Sequence, residues 1–146
     1  MNVINVYGGT KRQRQLVESI ANYTLELLNL NRMRTLDIEI SLNKIKDACG
    51  YCVSLSKREF EVEINKEQSL RRLLETVAHE LVHVKQYARG ELQETHLAWK
   101  GQPVNPNTNY WDLPWEIEAH GREVGLFIRW AQINGHMDKD WAQDKG

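Results

Sequence analysis

The sequence holds too few cysteines for a disulfide framework. It has two, Cys49 and Cys52, in the run CGYC, and two thiols without a second pair cannot fill a tetrahedral zinc. An excess of one charge is missing as well. Nineteen Lys and Arg stand against twenty Asp and Glu, a formal net charge of -1. That offers no basic excess to a nucleic-acid partner and no acidic excess that would favour disorder. No apolar run approaches the ~20 residues of a membrane span, so no membrane partner is expected. The opening MNVINVYGGTKRQRQ has no apolar stretch after its basic residues and does not read as a signal peptide. Repeats, low-complexity tracts and long linkers are absent too. What remains for 146 residues is a single domain over 1–146, with a core expected from about 10 to 134 and a polar tail over 135–146. With so little cysteine, a reducing cytoplasm is the expected setting.

Hydrophobic periodicity places the elements. From Lys11 to Asn29, Leu16, Ile20, Tyr23 and Leu27 recur at helical spacing, with Thr10 as N-cap. TLDIEISL alternates, with Leu36, Ile38, Ile40 and Leu42 on one face and Asp37, Glu39 and Ser41 on the other. YCVSLS and REFEVEI read as two more strands, with Phe60, Val62 and Ile64 inward. A long helix is expected from about Glu67 to Arg89, its core stripe Leu70, Leu74, Val77, Leu81, Val84 and Ala88, stopped by Gly90. A loop over roughly 91–113 follows. Pro114 then opens a further helix with Ile117, Gly121, Val124, Ile128 and Ala131 as its expected core stripe. The order is helix, strands, helix, loop, helix: an α+β fold with a small, mostly antiparallel sheet.

The long helix carries HELVH at 79–83. His79 and His83 lie one turn apart and off the apolar stripe, with Thr76 and Gln86, so two imidazoles can converge on one ion. Zinc accepts neutral imidazole nitrogen, and Glu80, next to the first histidine, stands where it can take a proton from water at the metal. A catalytic zinc needs a third protein ligand and an open position. Gln86 and Arg89 occupy the glycine and histidine positions of the extended H-E-x-x-H-x-x-G-x-x-H pattern, which excludes that arrangement. The third ligand then comes from His96, Glu116, Glu118, His120, Glu123 or His136. On the last helix Glu116, His120, Glu123, Phe127 and Trp130 share one flank, and Glu118 falls on the other with Arg122, an i,i+4 partner. Glu116 leads, and His96 in THLAWKG is the alternative.

The stretches HELVHVKQYARGEL, WKG at 99–101 and YWDLPWEIEAHGRE at 110–123 resemble a minimal gluzincin-type metallopeptidase domain. They are similar to the small proteins called SprT-like or minigluzincin, including those of tailed phages. The likeness covers roughly residues 34–130. It implies one Zn2+ per chain held by His79, His83 and Glu116, with Glu80 as general base and a peptide or protein as substrate. If the chain is phage-encoded, the compartment is the host cytoplasm. Family members commonly carry Asp four residues after the glutamate ligand, where this chain has His120. The resemblance therefore implies a role for His120 beside the ligands, with Asp expected to serve there at least as well. His120 and Tyr110 are the candidate donors to a developing oxyanion, and Tyr51–Ser56 is the strand expected to hold substrate backbone. Two other readings stay open: a catalytically inactive zinc-binding or phage-assembly module, and a DNA-associated SprT-like protease. Cys49 and Cys52 are expected to be structural, Trp111 and Trp115 to anchor the loop by packing, and His136 to have no role.

Overall fold

The computed structural model describes residues 2–33 and 35–143. Its main sheet is built from β1 (Val3–Gly8), β2 (Asp37–Asn43), β3 (Gly50–Ser54) and β4 (Glu59–Asn65), in the spatial order β1-β2-β4-β3. Alternation decides which face is buried. Ile38, Ile40 and Leu42 of β2, and Phe60, Val62 and Ile64 of β4, are buried together, and the residues between them are charged or polar. Three helices, α1 (Lys11–Leu27), α2 (Leu70–Ala88) and α3 (Pro114–Ile133), complete that core.

The α+β class and the helix order agree with the sequence reading, and the sheet is more mixed than expected. β1 pairs with β2 and β2 with β4 in parallel; only β3 and β4 run antiparallel. The reason lies in the connections. A helix returns the chain from β1 to β2, which leaves the two strands parallel, whereas β3 and β4 are joined by a short turn. Residues 92–103, expected as loop, form a wholly antiparallel second sheet from β5 (Leu92–Gln93), β6 (Ala98–Trp99) and β7 (Gln102–Pro103).

The core is also longer than 10–134. β1 precedes the expected first element, and its end needs glycine: Gly8 has φ +80, and a Cβ there would stand 2.3 Å from the Leu42 carbonyl oxygen. At the other end Ala142 is fully buried, its carbonyl accepts from Arg71 at 2.8 Å, and Trp141 packs on the core. His136 is not idle either, for its ring lies between Trp130 and Trp141 at 5.1 and 5.4 Å.

Helix starts follow local chemistry. Thr10 caps α1 in a reciprocal capping box with Gln13, and Ser69 caps α2 through the Arg72 N–H. α2 is buried nearly all round from Leu73 to Gln86, so its polar flank is interior and not solvated. α3 is turned about its axis from the expected setting. Ala119, Glu123, Leu126, Phe127, Trp130 and Ala131 are buried, while Ile117 is 57% and Val124 43% exposed. No helix of the described residues is long and apolar enough to cross a membrane.

Candidate metal centre

The polar flank of α2 and the Glu116–Glu123 flank of α3 face each other beside β3. Between them opens a cavity of about 500 Å³ lined by the 47–52 segment, Arg72, Thr76, His79, Glu80, His83, Tyr87, Leu92, Tyr110, Trp115, Glu116 and His120. All five expected site residues, His79, Glu80, His83, Glu116 and His120, therefore lie on one cavity. His96 does not: it is exposed in the turn between β5 and β6 and lines a different depression with Lys57. Glu118 is committed elsewhere, to Lys85 at 2.7 Å, the Gln86 amide at 3.0 Å and Arg122 at 3.3 Å.

Glu116 reaches both histidines. Its Oε1 lies 3.1 Å from His79 Nε2 and its Oε2 lies 3.3 Å from His83 Nε2. Ligand atoms ~2.0–2.2 Å from a tetrahedral zinc sit roughly 3.3–3.6 Å apart, so these spacings are close to those of a metal-bound set. The far side of each ring is held. His83 Nδ1 donates to Gln86 Oε1 at 2.7 Å, an amide orientation fixed because Gln86 Nε2 donates to the Trp115 carbonyl at 2.9 Å. His79 Nδ1 faces Glu123 Oε1 at 3.4 Å, the long end of a hydrogen bond. With Nδ1 occupied on both rings, Nε2 is the nitrogen each offers to a metal.

No family model, curated protein or solved structure matches the chain.

Two residue triplets, His79/Glu80/His83 and His79/His120/Glu123, offer ligand atoms within 4.8 Å of one another and could hold a metal ion. Glu116 stands outside both triplets although it is close to both Nε2 atoms. Its carboxylate oxygens lie 3.1 and 3.3 Å from the His79 and His83 Nε2 atoms. The Glu123 triplet would use His79 Nδ1, but Glu123 already accepts from His120 Nδ1 at 2.6 Å, and its other oxygen is bound by Arg72, whose charge opposes a second cation. That cluster is a hydrogen-bonded support, not the better metal position.

Electrostatics follow the same layout. Burial alone would lower the His79 pKa, but hydrogen bonds to Glu116 and Glu123 outweigh it and raise the pKa to about 9. His83 is likewise raised, against its burial, by Glu116 and Glu80. Burial would raise Glu116, yet the two histidines hold it well below the ordinary carboxylate range. Glu123 is held down to about 2, against its burial, by His79, Arg72 and His120. Glu80 moves the other way: burial pushes its carboxyl up, against the pull of His83 and His79. Glu80 is thus the one carboxyl of this group whose proton is held more tightly than usual.

Two residues take roles that the sequence does not assign them. Glu123, a candidate ligand by sequence, lies two turns after Glu116 and one turn after His120, and it serves His79 and His120 together from behind. Gln86 shares the histidine flank and holds the His83 ring. The i,i+3 step from His83 to Gln86 was the available signal. His120 lies beside Glu116 and the two histidines: its Nε2 is 3.0 Å from the Tyr110 hydroxyl and 4.0 Å from Glu116 Oε1. Tyr110 O–H also donates to Glu116 Oε1 at 3.0 Å. Packing accounts for Trp115, which lies 6.4 Å from Trp99, but not for Trp111, which is exposed over His120. Cys49 and Cys52 are free thiols on the cavity wall.

Proposed function

We propose that this chain is a zinc-dependent peptidase of the gluzincin type, with His79, His83 and Glu116 as ligands of one zinc ion. The observation that carries the reading is Glu116 set against both Nε2 atoms while both Nδ1 atoms are held from behind. When bound there, zinc supplies Lewis acidity that lowers the pKa of water to about 7 and polarises a carbonyl. Glu80 takes the proton from the attacking water and delivers it to the leaving amine. The Tyr110 hydroxyl, by turning its O–H away from Glu116 Oε1, can donate to the oxyanion that develops on the substrate carbonyl, and His120, its Nδ1 proton given to Glu123, lies 3.0 Å behind that hydroxyl. β3 is the sheet's outer strand beside this cavity, and its free edge suits an extended substrate backbone.

The test is a pair of measurements on purified chain. Metal analysis should give one zinc per chain, and peptide hydrolysis should depend on it. Glu80→Gln should keep the zinc and lose hydrolysis, because glutamine cannot shuttle the proton. Unchanged turnover in zinc-loaded Glu80→Gln would refute the mechanism.

A further inference from the structure

Trp111 is 67% exposed, and it is nevertheless fixed. Its backbone N–H donates to Asn109 Oδ1 at 3.0 Å, and Asp112 N–H and Leu113 N–H close the turn onto Asn109 and Tyr110 carbonyls at 2.9 and 3.2 Å. Its ring leans on the His120 ring, 4.9 Å between centroids and 35° between planes, and meets Tyr110 edge-on at 5.2 Å. One face of the indole is thus used inside the chain and the other is turned to solvent. The ring is not part of the cavity lining; it stands on the rim, outside the Tyr110–His120 wall. Ile117 and Val124 flank His120 one turn away on each side of α3, and both are exposed. An exposed indole stacked on a residue of the cleft wall is the kind of rigid aromatic anchor that binding rims use.

We infer that Trp111 is a specificity-determining residue: it stacks a large apolar or aromatic side chain of the peptide at a position just outside the enclosed cavity. This rests on the reading of the cleft as a peptide site and names the side-chain class that it takes. The Tyr110–His120 wall beneath the ring is polar, so the discrimination falls to the rim.

The experiment uses the zinc-loaded full chain and synthetic decapeptides around a bond that it cuts, each position varied in turn through Phe, Leu, Ser and Gly. One position should prefer Phe and Leu to Gly by about tenfold in kcat/KM, the scale of one aromatic contact. The preference should appear in KM, vanish in Trp111→Ala and return in Trp111→Phe. An unchanged preference in Trp111→Ala overturns the inference. So does an equal fall in kcat for every peptide, which would make the indole merely a support for His120. Binding of the same peptides, dansyl-labelled, to zinc-loaded Glu80→Gln separates this inference from the hydrolase reading. If nothing is cut but Phe peptides bind more tightly than Gly peptides through Trp111, the lip stands and the peptidase falls; if binding shows no such difference, the lip falls.

Discussion

Removing the Glu123 carboxylate tests the support of the metal centre most directly. Glu123 is 3% exposed and receives three groups: His79 Nδ1 at 3.4 Å, His120 Nδ1 at 2.6 Å and the Arg72 guanidinium. Carboxylates behind a ligand histidine fix its tautomer and raise its basicity, and their loss typically costs ~10–100-fold in metal affinity, or about 1.4–2.8 kcal/mol. Glu123→Gln keeps the shape and one acceptor oxygen but puts an amide N–H2 where Arg72 or a histidine needs an acceptor. A loss near ~10-fold is expected from it. Glu123→Ala strands the His79 and His120 donors in a buried place and should approach ~100-fold. It should also lower stability by about 1–3 kcal/mol through the unpaired buried groups; no more is expected, because the Arg72 side chain is 40% exposed and its lost pair is screened by water. Zinc affinity is read by competition with a chromophoric chelator, with circular dichroism confirming that each variant is folded. Unchanged zinc affinity in both folded variants would show that His79 is oriented by something other than Glu123.

Glu116→Ala should lose zinc at concentrations that saturate the unmodified chain, measured by metal analysis after gel filtration; full retention would move the third ligand elsewhere. His120→Asp, expected from the family pattern to serve at least as well as His, should instead weaken zinc retention by roughly 10-fold. It would set a second carboxylate beside Glu123 and remove the 2.6 Å bond, and retention equal to the unmodified chain would refute this. Trp130→Ala should cost about 3–5 kcal/mol in urea unfolding, since the indole is fully buried and its N–H donates to Ser19 Oγ at 2.9 Å; a cost below about 1 kcal/mol would contradict that packing.

The legible parts of this chain are those where period and burial coincide. β2 and β4 alternate without a fault, and the buried set Leu36 to Leu42 and Phe60 to Ile64 could be read directly. HELVH was legible because two histidines one turn apart have a geometry whatever the tertiary fold. α3 is legible in part. The flank of Glu116, His120, Glu123, Phe127 and Trp130 is the buried one, as its aromatics indicate, whereas the stripe through Ile117 and Val124 has the right period for a core but is turned outward. β1 was hidden for a different reason. Only Ile4 and Val6 turn toward the core from a short run, and a parallel edge position is supplied by partners far away in sequence. Glu123 is a candidate ligand by sequence, and only the tertiary approach of Arg72 and His79 shows that it stands behind the His79 ring.

The distribution of buried polar groups bears on why these two helices meet as they do. Glu75, Thr76, His79, Glu80, His83, Lys85 and Gln86 of α2 are buried, together with Glu123 of α3. Each would cost free energy if left unpaired, and even well-paired buried ions contribute little to net stability compared with apolar side chains of similar size. An interface selected for stability alone would not concentrate them along one seam. Lys85 with Glu91 and Glu118, Gln86 with Trp115 and Glu118, and Arg72 with Glu75 and Glu123 brace the two ends of the seam, and the two Nε2 atoms and Glu80 stand between those braces. The arrangement fixes ring orientations before any ion arrives. A ligand that binds only the folded chain at 1,000 times its Kd adds about 4 kcal/mol, enough to offset several incompletely paired polar groups. Under the proposed function, a zinc ion held by His79, His83 and Glu116 would complete the pairing along an α2–α3 seam that the apolar core alone leaves polar.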